Sequence, residues 1–560
     1  RGAPADPEFE EAVDWLRSEA DTMLADMGVQ TSVTGPAGII TDAVKVFQSI
    51  DLRVTITTVA LVFVLLLFVY RSPLLAIIPL LIIGAALLCA RAIASLLTQN
   101  FGLALNDQVT SIMSVLLFGA GTDFTLFIVS RYREEWQKLG SEHRWQAMRL
   151  TMTKVGPAIA TSGGTTIVAM LVLLWASNGS FVSLGPMLAM AVLVMLITAL
   201  TVVPGVIVIL GRAAFWPMDP FKGGAQVSRF WSWASEIISR AGGRVLLISS
   251  LLLGVAALGS GLLKPNFGFV DGFPDSMDSK IGYKTLQDKF PAGDLAPITI
   301  LIDFDIRQLS THLIKFEEFS SKLSSYPGVV RLTGPTRPNG NVNPFQGDQL
   351  KSLLLSVDKS IAGKTNWKDA LQLALQKSPE LAPIFGQLPR FLSSDGSIAR
   401  FEITWNADPY SNQTISEIGD FRERVRTLAE ESDLISSGIL VGGESATQYD
   451  IKQATTRDLL IVGPLVLLVV WLVLVALLKS LIAPTYLVLS ILLSFGSAFG
   501  LSVVFFQYVL GHPGVAFENL MWMFVFLIAL GADYNIYMMS RIQEEVKLRG
   551  ITDGIREAVS

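Results

Sequence analysis

Nine stretches of this chain are each long and apolar enough to cross a bilayer. They cover residues 53–70, 74–97, 109–130, 155–176, 184–210, 245–263, 458–478, 481–506 and 517–539. A helix needs about 20 apolar residues to span the hydrocarbon core, and there only helices and closed barrels satisfy their own backbone groups. Composition agrees, since 51% of the 560 residues are hydrophobic and 16% are charged, against roughly 25% charged in soluble domains. The expected fold class is a polytopic α-helical membrane protein. Pro79, Pro157, Pro186, Pro204, Pro464 and Pro484 fall within or at the ends of these runs. Membrane helices tolerate such breaks where neighbours re-satisfy the freed carbonyls.

Charge orients the spans. The loop 131–154 carries Arg131, Arg133, Lys138, Arg144, Arg149 and Lys154, and the segment 211–244 carries five more basic residues. Arg71 and Lys479 mark two short turns on the same side, while the alternate loops 98–108, 177–183 and 507–516 hold no Lys or Arg. The positive-inside rule makes the basic side cytoplasmic. Residues 1–50 and 264–457 are then extracytoplasmic. The net charge of −5 gives no case for a nucleic-acid partner, and the one cysteine, Cys89, reads as a small packing residue.

The stretch 264–457 is long enough for a core of its own. In "IARFEITW" (398–405), Ala399, Phe401, Ile403 and Trp405 alternate with polar residues, the period of a half-buried strand. "APITILIDF" (296–304), "GVVRL" (328–332) and "SGILV" (437–441) supply three more strand candidates, and 412–428 keeps a helical period. The β-α-β-β-α-β order predicts a ferredoxin-like α+β unit, with 340–395 as a helical insertion.

The chain also repeats itself. "GTDFTLFIVSRYREEW" (121–136) and "GADYNIYMMSRIQEEV" (531–546) share Gly, Asp, Ser, Arg and two Glu in step. "RSPLLAIIPLL" (71–81) resembles "KSLIAPTYLVL" (479–489), and "VTGPAGIITDAVKVFQSIDL" (33–52) resembles "VGGESATQYDIKQATTRDL" (441–459). The common offset of about 408–410 residues is that of a duplicated half. The domains expected are the end of a first external porter domain (1–50), a five-helix bundle (51–211), a cytoplasmic linker (212–244), the first helix of the second half (245–263), a second porter domain (264–457) and a second bundle (458–560). Matched halves predict truncation at both ends: a leading span and most of one porter domain before Arg1, and two spans after Ser560.

Asp123 and Asp533 sit inside apolar runs at equivalent positions. An ionised Asp at a helix centre costs about 2.5–3.5 kcal/mol. Accepting that cost twice points to a use. A carboxyl removed from water can load and release a proton within the physiological range. One proton crossing 100 mV yields about 2.3 kcal/mol, enough for a gradient of more than tenfold. The bland alternative is that Thr122, Thr125 and Asn535 satisfy the two carboxyls and neither titrates. Arg131 and Arg541 follow eight residues after each Asp and read as surface anchors, near Ser130 and Ser540. The pairs Glu134/Glu135 and Glu544/Glu545 read as a solvated continuation of each helix.

At these residues the chain resembles the MMPL (mycobacterial membrane protein large-like) family of the resistance-nodulation-division (RND) superfamily. "GAGTDFTLFIVSRYREEW" and "GADYNIYMMSRIQEE" look like its paired signatures, and "GRAAFWP" (211–217), "VTGP" and "VGGESA" also fit. The resemblance implies an RND-type two-half transporter driven by protons, exporting lipids or other hydrophobic molecules across a bacterial plasma membrane. It implies that Asp123 pairs with Tyr534. The reciprocal partner of Asp533 is Phe124, which has no hydroxyl, so Asp533 is expected to rely on water or on Thr125. It also implies that substrate comes in among the spans from the outer side and passes between the porter domains. Cell-envelope accessory proteins are conceivable partners.

Weaker signals carry less. Gly363-Lys364-Thr365 lacks the earlier glycine of a phosphate loop, because Asp358 stands there. "GSAFG" (496–500) is a small-residue pattern for close helix packing. His143, His312 and His512 make no metal spacing, and no cofactor is called for. Arg91 is expected to snorkel to the interface. The segment 227–241, with Trp231 and Trp233, either lies on the membrane as an amphipathic helix or packs on the spans. Other readings are a protein-translocation aid, a sterol or hopanoid carrier, or a non-transporting membrane scaffold.

Overall fold

The computed structural model describes residues 7–103, 107–217, 221, 229–266, 269–305, 309–341, 386–434, 438–512, 514–517 and 519–559, with 368, 371–372, 375–376 and 382 as separate positions. The glycine-lysine-threonine segment and most of the expected insertion 340–395 lie outside the described residues, as do 227 and 228 of the expected amphipathic segment. Two compact units emerge. One joins Arg1–Val44 with Pro265–Gln453, and the other joins Lys45–Lys264 with Ala454–Ser560.

Along the chain come α1 (Pro7–Leu24), α2 (Gly35–Tyr70), α3 (Pro73–Phe101), α4 (Asp107–Leu139), α5 (Arg144–Leu171), α6 (Gly179–Leu210) and α7 (Arg229–Leu258). Then follow α8 (Asp278–Lys289), β1 (Ile298–Asp303), α9 (Leu309–Ser324), β2 (Val329–Thr333), α10 (Leu388–Phe391), β3 (Ile398–Trp405), α11 (Asn412–Glu431) and β4 (Ile439–Gly442). The last helices are α12 (Glu444–Leu478), α13 (Ile482–Val503), α14 (Asn519–Arg549) and α15 (Ile551–Val559).

In the first unit β1–β4 form one antiparallel sheet in the order β2-β3-β1-β4. With α9 and α11 as the crossings, this is the ferredoxin-like arrangement. Register explains the core. Ile298, Ile300 and Ile302 stand opposite Ile403, Phe401 and Ala399, all buried and all on one face of the sheet. Phe316, Phe319, Phe421 and Val425 of α9 and α11 cover that face. Phe401 meets Phe316 and Phe319 edge-on at 5.4 and 5.5 Å, and Trp405 meets Phe421 at 5.1 Å. The one departure from alternation in β3 is Thr404, which is buried and donates to Asp294 at 2.8 Å. A polar knot holds residues 17–42 to α8, since Arg17 pairs with Asp42 at 2.8 Å and with Asp278 at 3.1 Å.

The second unit is a helical bundle. Nine helices among the described residues are long and apolar enough to cross a membrane, one for each expected run. The repeat recurs in its geometry. Arg71 (φ 51°) and Lys479 (φ 50°) are non-glycine residues in the left-handed region at equivalent helix-to-helix turns. Gly121 lies against Ile83, where an added Cβ would stand 2.8 Å from Cγ1, and Gly531 lies against Ile491, where it would stand 3.1 Å from Cγ2. Ile83 and Ile491 are themselves 408 residues apart. Each half thus docks its signature helix on its neighbour through the same small-against-branched contact. The stretch 229–258 is two helices merged across a kink at Ala241 (φ −138°, ψ 34°), so the segment before the kink is separate from the span that follows. Gly496 and Gly500 of α13 lie against Ala257 and Ala256, the close approach that small residues permit.

Candidate functional site

The signature helices α4 and α14 bring their carboxylates into the bundle core. Both run toward the end bearing the basic loops, and α5 packs against both while running the other way. Asp533 is buried, with 7% of its surface exposed, and Asp123 is half-buried. Tyr534 Oη donates to Asp123 Oδ2 at 2.8 Å, a bond from one half to the other. Phe124 is buried and offers no reciprocal hydroxyl.

Asp533 finds its partner elsewhere. Thr166 Oγ1 of α5 donates to Asp533 Oδ2 at 3.4 Å, and Asp533 Oδ1 is buried without a hydrogen bond among the described residues. Thr125, expected to serve it, donates instead to Gly121 O at 2.7 Å, and Thr122 donates to Phe118 O at 2.7 Å. Both threonines sit mid-helix, where the carbonyl one turn back is the nearest acceptor. Among the described residues no hydrogen bond joins Asn535 to either carboxylate. Ser130 Oγ donates to Phe127 O at 3.1 Å, and Ser540 is half-buried on α14. Thr166 and the nearby Ser162 were legible only as a run of small hydroxyl residues, "ATSGGTT" (160–166), within an apolar helix.

Two turns nearer the basic end, the halves meet again. Arg131 is only 10% exposed and pairs with Glu134 at 2.8 Å, with Glu135 at 3.3 Å and, across the halves, with Glu544 at 3.0 Å. Arg541 pairs with Glu544 at 3.6 Å and Glu545 at 3.1 Å. Glu135 and Glu545 are buried rather than solvated, because each is met by its own helix's arginine and by a second cation, Lys154 at 2.8 Å or Arg549 at 3.2 Å. The reading of Arg131 as a surface anchor and of the second glutamates as solvated gives way to a paired, half-to-half network.

At the other end Arg91 does not reach outward. It pairs with Asp51 at 3.3 Å and donates to Ser114 at 2.9 Å, while Ser111 donates to Asp51 at 2.8 Å. An acid on the neighbouring helix removes the need to snorkel. Asp458, the repeat counterpart of Asp51, accepts from the backbone amides of Ser177 at 2.7 Å and Asn178 at 3.0 Å.

Comparison with known proteins agrees with this architecture. The family model "MMPL family" matches residues 1–244 and 349–560. SCO5905 of Streptomyces coelicolor, named as a membrane protein, is 31% identical over 100% of this chain and 59% of its own length. The apo-petrobactin exporter of Bacillus anthracis is 29% identical over 95% of this chain and 66% of its own, and the sulfolipid-1 exporter MmpL8 of Mycobacterium tuberculosis is 28% identical over 67% and 34%. The chain therefore spans less than two thirds of the length of these curated relatives. The cryo-EM structure of the hedgehog release protein Disp from the water bear Hypsibius dujardini superposes with a TM-score of 0.60 at 13% identity, over 100% of this chain and 68% of that one, a likeness of fold. The chain belongs to the MMPL family and is a multi-pass bacterial membrane protein.

Proposed function

We propose that the chain works as a proton-motive-force-driven exporter of lipids or other hydrophobic molecules across the bacterial plasma membrane. The observation that carries this reading is the pair of carboxylates within the membrane helices, one of them hydrogen-bonded across the halves by Tyr534 at 2.8 Å. Each carboxylate is stable in two forms with different demands. Ionised, it holds donors such as Tyr534 and Thr166 close. Neutral, it releases them and costs less to keep in hydrocarbon. Loading and unloading a proton thus changes how strongly α4 is held to α14, and the halves rearrange with each cycle. Relatives named as exporters of apo-petrobactin and sulfolipid-1 support export as the outcome, and the sulfolipid-1 exporter supports a lipid as cargo. No cofactor enters the cycle, and the porter unit would receive the cargo on the outer side.

The test uses the full-length protein in vesicles with an imposed pH gradient. Proton flux and export of a labelled lipid are followed in the parent, Asp123→Asn and Asp533→Asn. Folded variants that lose both signals support the coupling role. A scaffold tolerates an isosteric neutral side chain, so export that continues in both variants rejects the reading.

A further inference from the structure

In the four residues after each Asp, the two signature helices differ in their aromatic hydroxyls at two places. Tyr534 and Tyr537 of α14 face Phe124 and Phe127 at the positions 410 residues earlier. Within the four residues after each Asp, both phenolic hydroxyls therefore belong to one helix. Tyr534 gives its hydroxyl to Asp123. Tyr537 is 93% buried, its ring stacked on Phe127 with centroids 3.7 Å apart, and its Oη has no hydrogen-bond partner among the described residues.

Tyr537 follows Asp533 by four residues, so it lies on the same face of α14, about 6 Å nearer the basic end. On the antiparallel α5, Ser162 precedes Thr166 by the same four residues and lies the same distance nearer that end. Thr166 meets Asp533, and Ser162 lies beside both the Asp533 carboxyl and the Tyr537 hydroxyl. Asp533 Oδ1, Ser162 Oγ and Tyr537 Oη are all buried, and among the described residues none has a partner within hydrogen-bond geometry. Buried polar atoms are nearly always paired. Here two hydroxyl donors and one carboxylate oxygen lie in one neighbourhood, each able to supply what another lacks.

We infer that Tyr537, acting through Ser162, is the hydroxyl that serves Asp533 in place of the tyrosine absent at position 124. Tyr537 donates to Ser162 Oγ, and Ser162 donates to Asp533 Oδ1. Tyr537 is a positioning residue for that carboxylate. The inference rests on the proton-coupled reading above and adds to it an asymmetry: Asp123 is served by a tyrosine from the opposite half, Asp533 by one from its own helix.

The test uses the full-length protein in vesicles and two readouts, proton flux and the infrared carbonyl stretch of the Asp533 carboxyl, identified by its loss in Asp533→Asn. Tyr537→Phe keeps the ring and removes only the hydroxyl. The expected result is a displaced band and a flux lowered several-fold, the scale of one hydrogen bond between neutral hydroxyls. Ser162→Ala displaces the same band. Adding Phe124→Tyr to Tyr537→Phe restores flux, which a ring-packing role does not allow. Tyr537→Phe added to Asp533→Asn lowers flux no further. A band that stays in place in Tyr537→Phe overturns the inference whatever the flux, and so does a displaced band with undiminished flux. Intact flux in Asp533→Asn itself rejects the proton reading instead, and the band still decides whether Tyr537 serves Asp533.

Discussion

Asp458 has both carboxylate oxygens on backbone amides and is 1% exposed, whereas Asp51 shares itself between Arg91 and Ser111 and is partly open to solvent. The two occupy the same place in the repeat, yet their environments set different costs of removal. Asp458→Ala leaves two amides of a loop without an acceptor and is expected to cost about 2–3 kcal/mol. Asp51→Asn removes one partly exposed ion pair, worth about 1 kcal/mol or less. Thermal unfolding of the purified protein checks the order; an Asp458→Ala midpoint no lower than that of Asp51→Asn rejects it. Neither acid was legible in the sequence, because each stands at the end of an apolar run, where a charge is unremarkable. Asp123 and Asp533 were legible because they stand inside one. Tyr537 escaped because it stands a full turn beyond Asp533, where an aromatic in an apolar helix reads as packing. Glu135 and Glu545 escaped because an Arg four residues back reads the same whether the pair is solvated or enclosed.

At the scale of elements, the strands and spans follow from periodicity alone, since alternation in β3 and unbroken apolar runs in the helices each admit one structure. What periodicity withholds is which helix touches which. "GSAFG" announced a close approach but not its partner, the stretch 256–260, whose small residues lie on a helix more than 230 residues away in the chain. The contact is tight. Ser497 Oγ donates to Leu253 O at 2.7 Å, and a Cβ on Gly500 would run into the carbonyl oxygen of Ala256. On Gly496 it would meet only Ala257 Cβ, at 3.3 Å. Backbone cannot rotate aside as a side-chain tip can. Gly500→Ala is therefore expected to force the helices apart at a cost of about 1–3 kcal/mol, and Gly496→Ala to cost less than about 1 kcal/mol. Comparable melting temperatures for the two variants would show that the crossing is looser than this packing.

The whole molecule is a duplicated structure that departs from its own symmetry at each place where the halves meet. The duplication was legible because three separate motifs recur at offsets of about 408–410 residues. The missing hydroxyl at Phe124 was legible too, but the one-sided ion pairs were not, because Arg131, Glu134 and Glu135 recur in step as Arg541, Glu544 and Glu545. Arg131 crosses to Glu544 at 3.0 Å, while the equivalent Arg541 stays with Glu544 and Glu545 of its own helix. The hydroxyl bond shows the same bias, with Tyr534 reaching Asp123 and Phe124 returning nothing. Symmetric halves would couple both arginines equally across the interface. The arrangement found here gives a double-mutant cycle of Arg131→Gln with Glu544→Gln a coupling of about 0.5–1 kcal/mol, and a cycle of Arg541→Gln with Glu134→Gln a smaller one, since Arg541 acts on Glu134 by its charge without a direct ion pair. The cycles are read from thermal unfolding of the full-length protein at fixed ionic strength, because salt screens such pairs. Equal couplings in the two cycles would mean that the halves exchange partners in solution, and that the one-sided network is one of two arrangements between which the bundle moves.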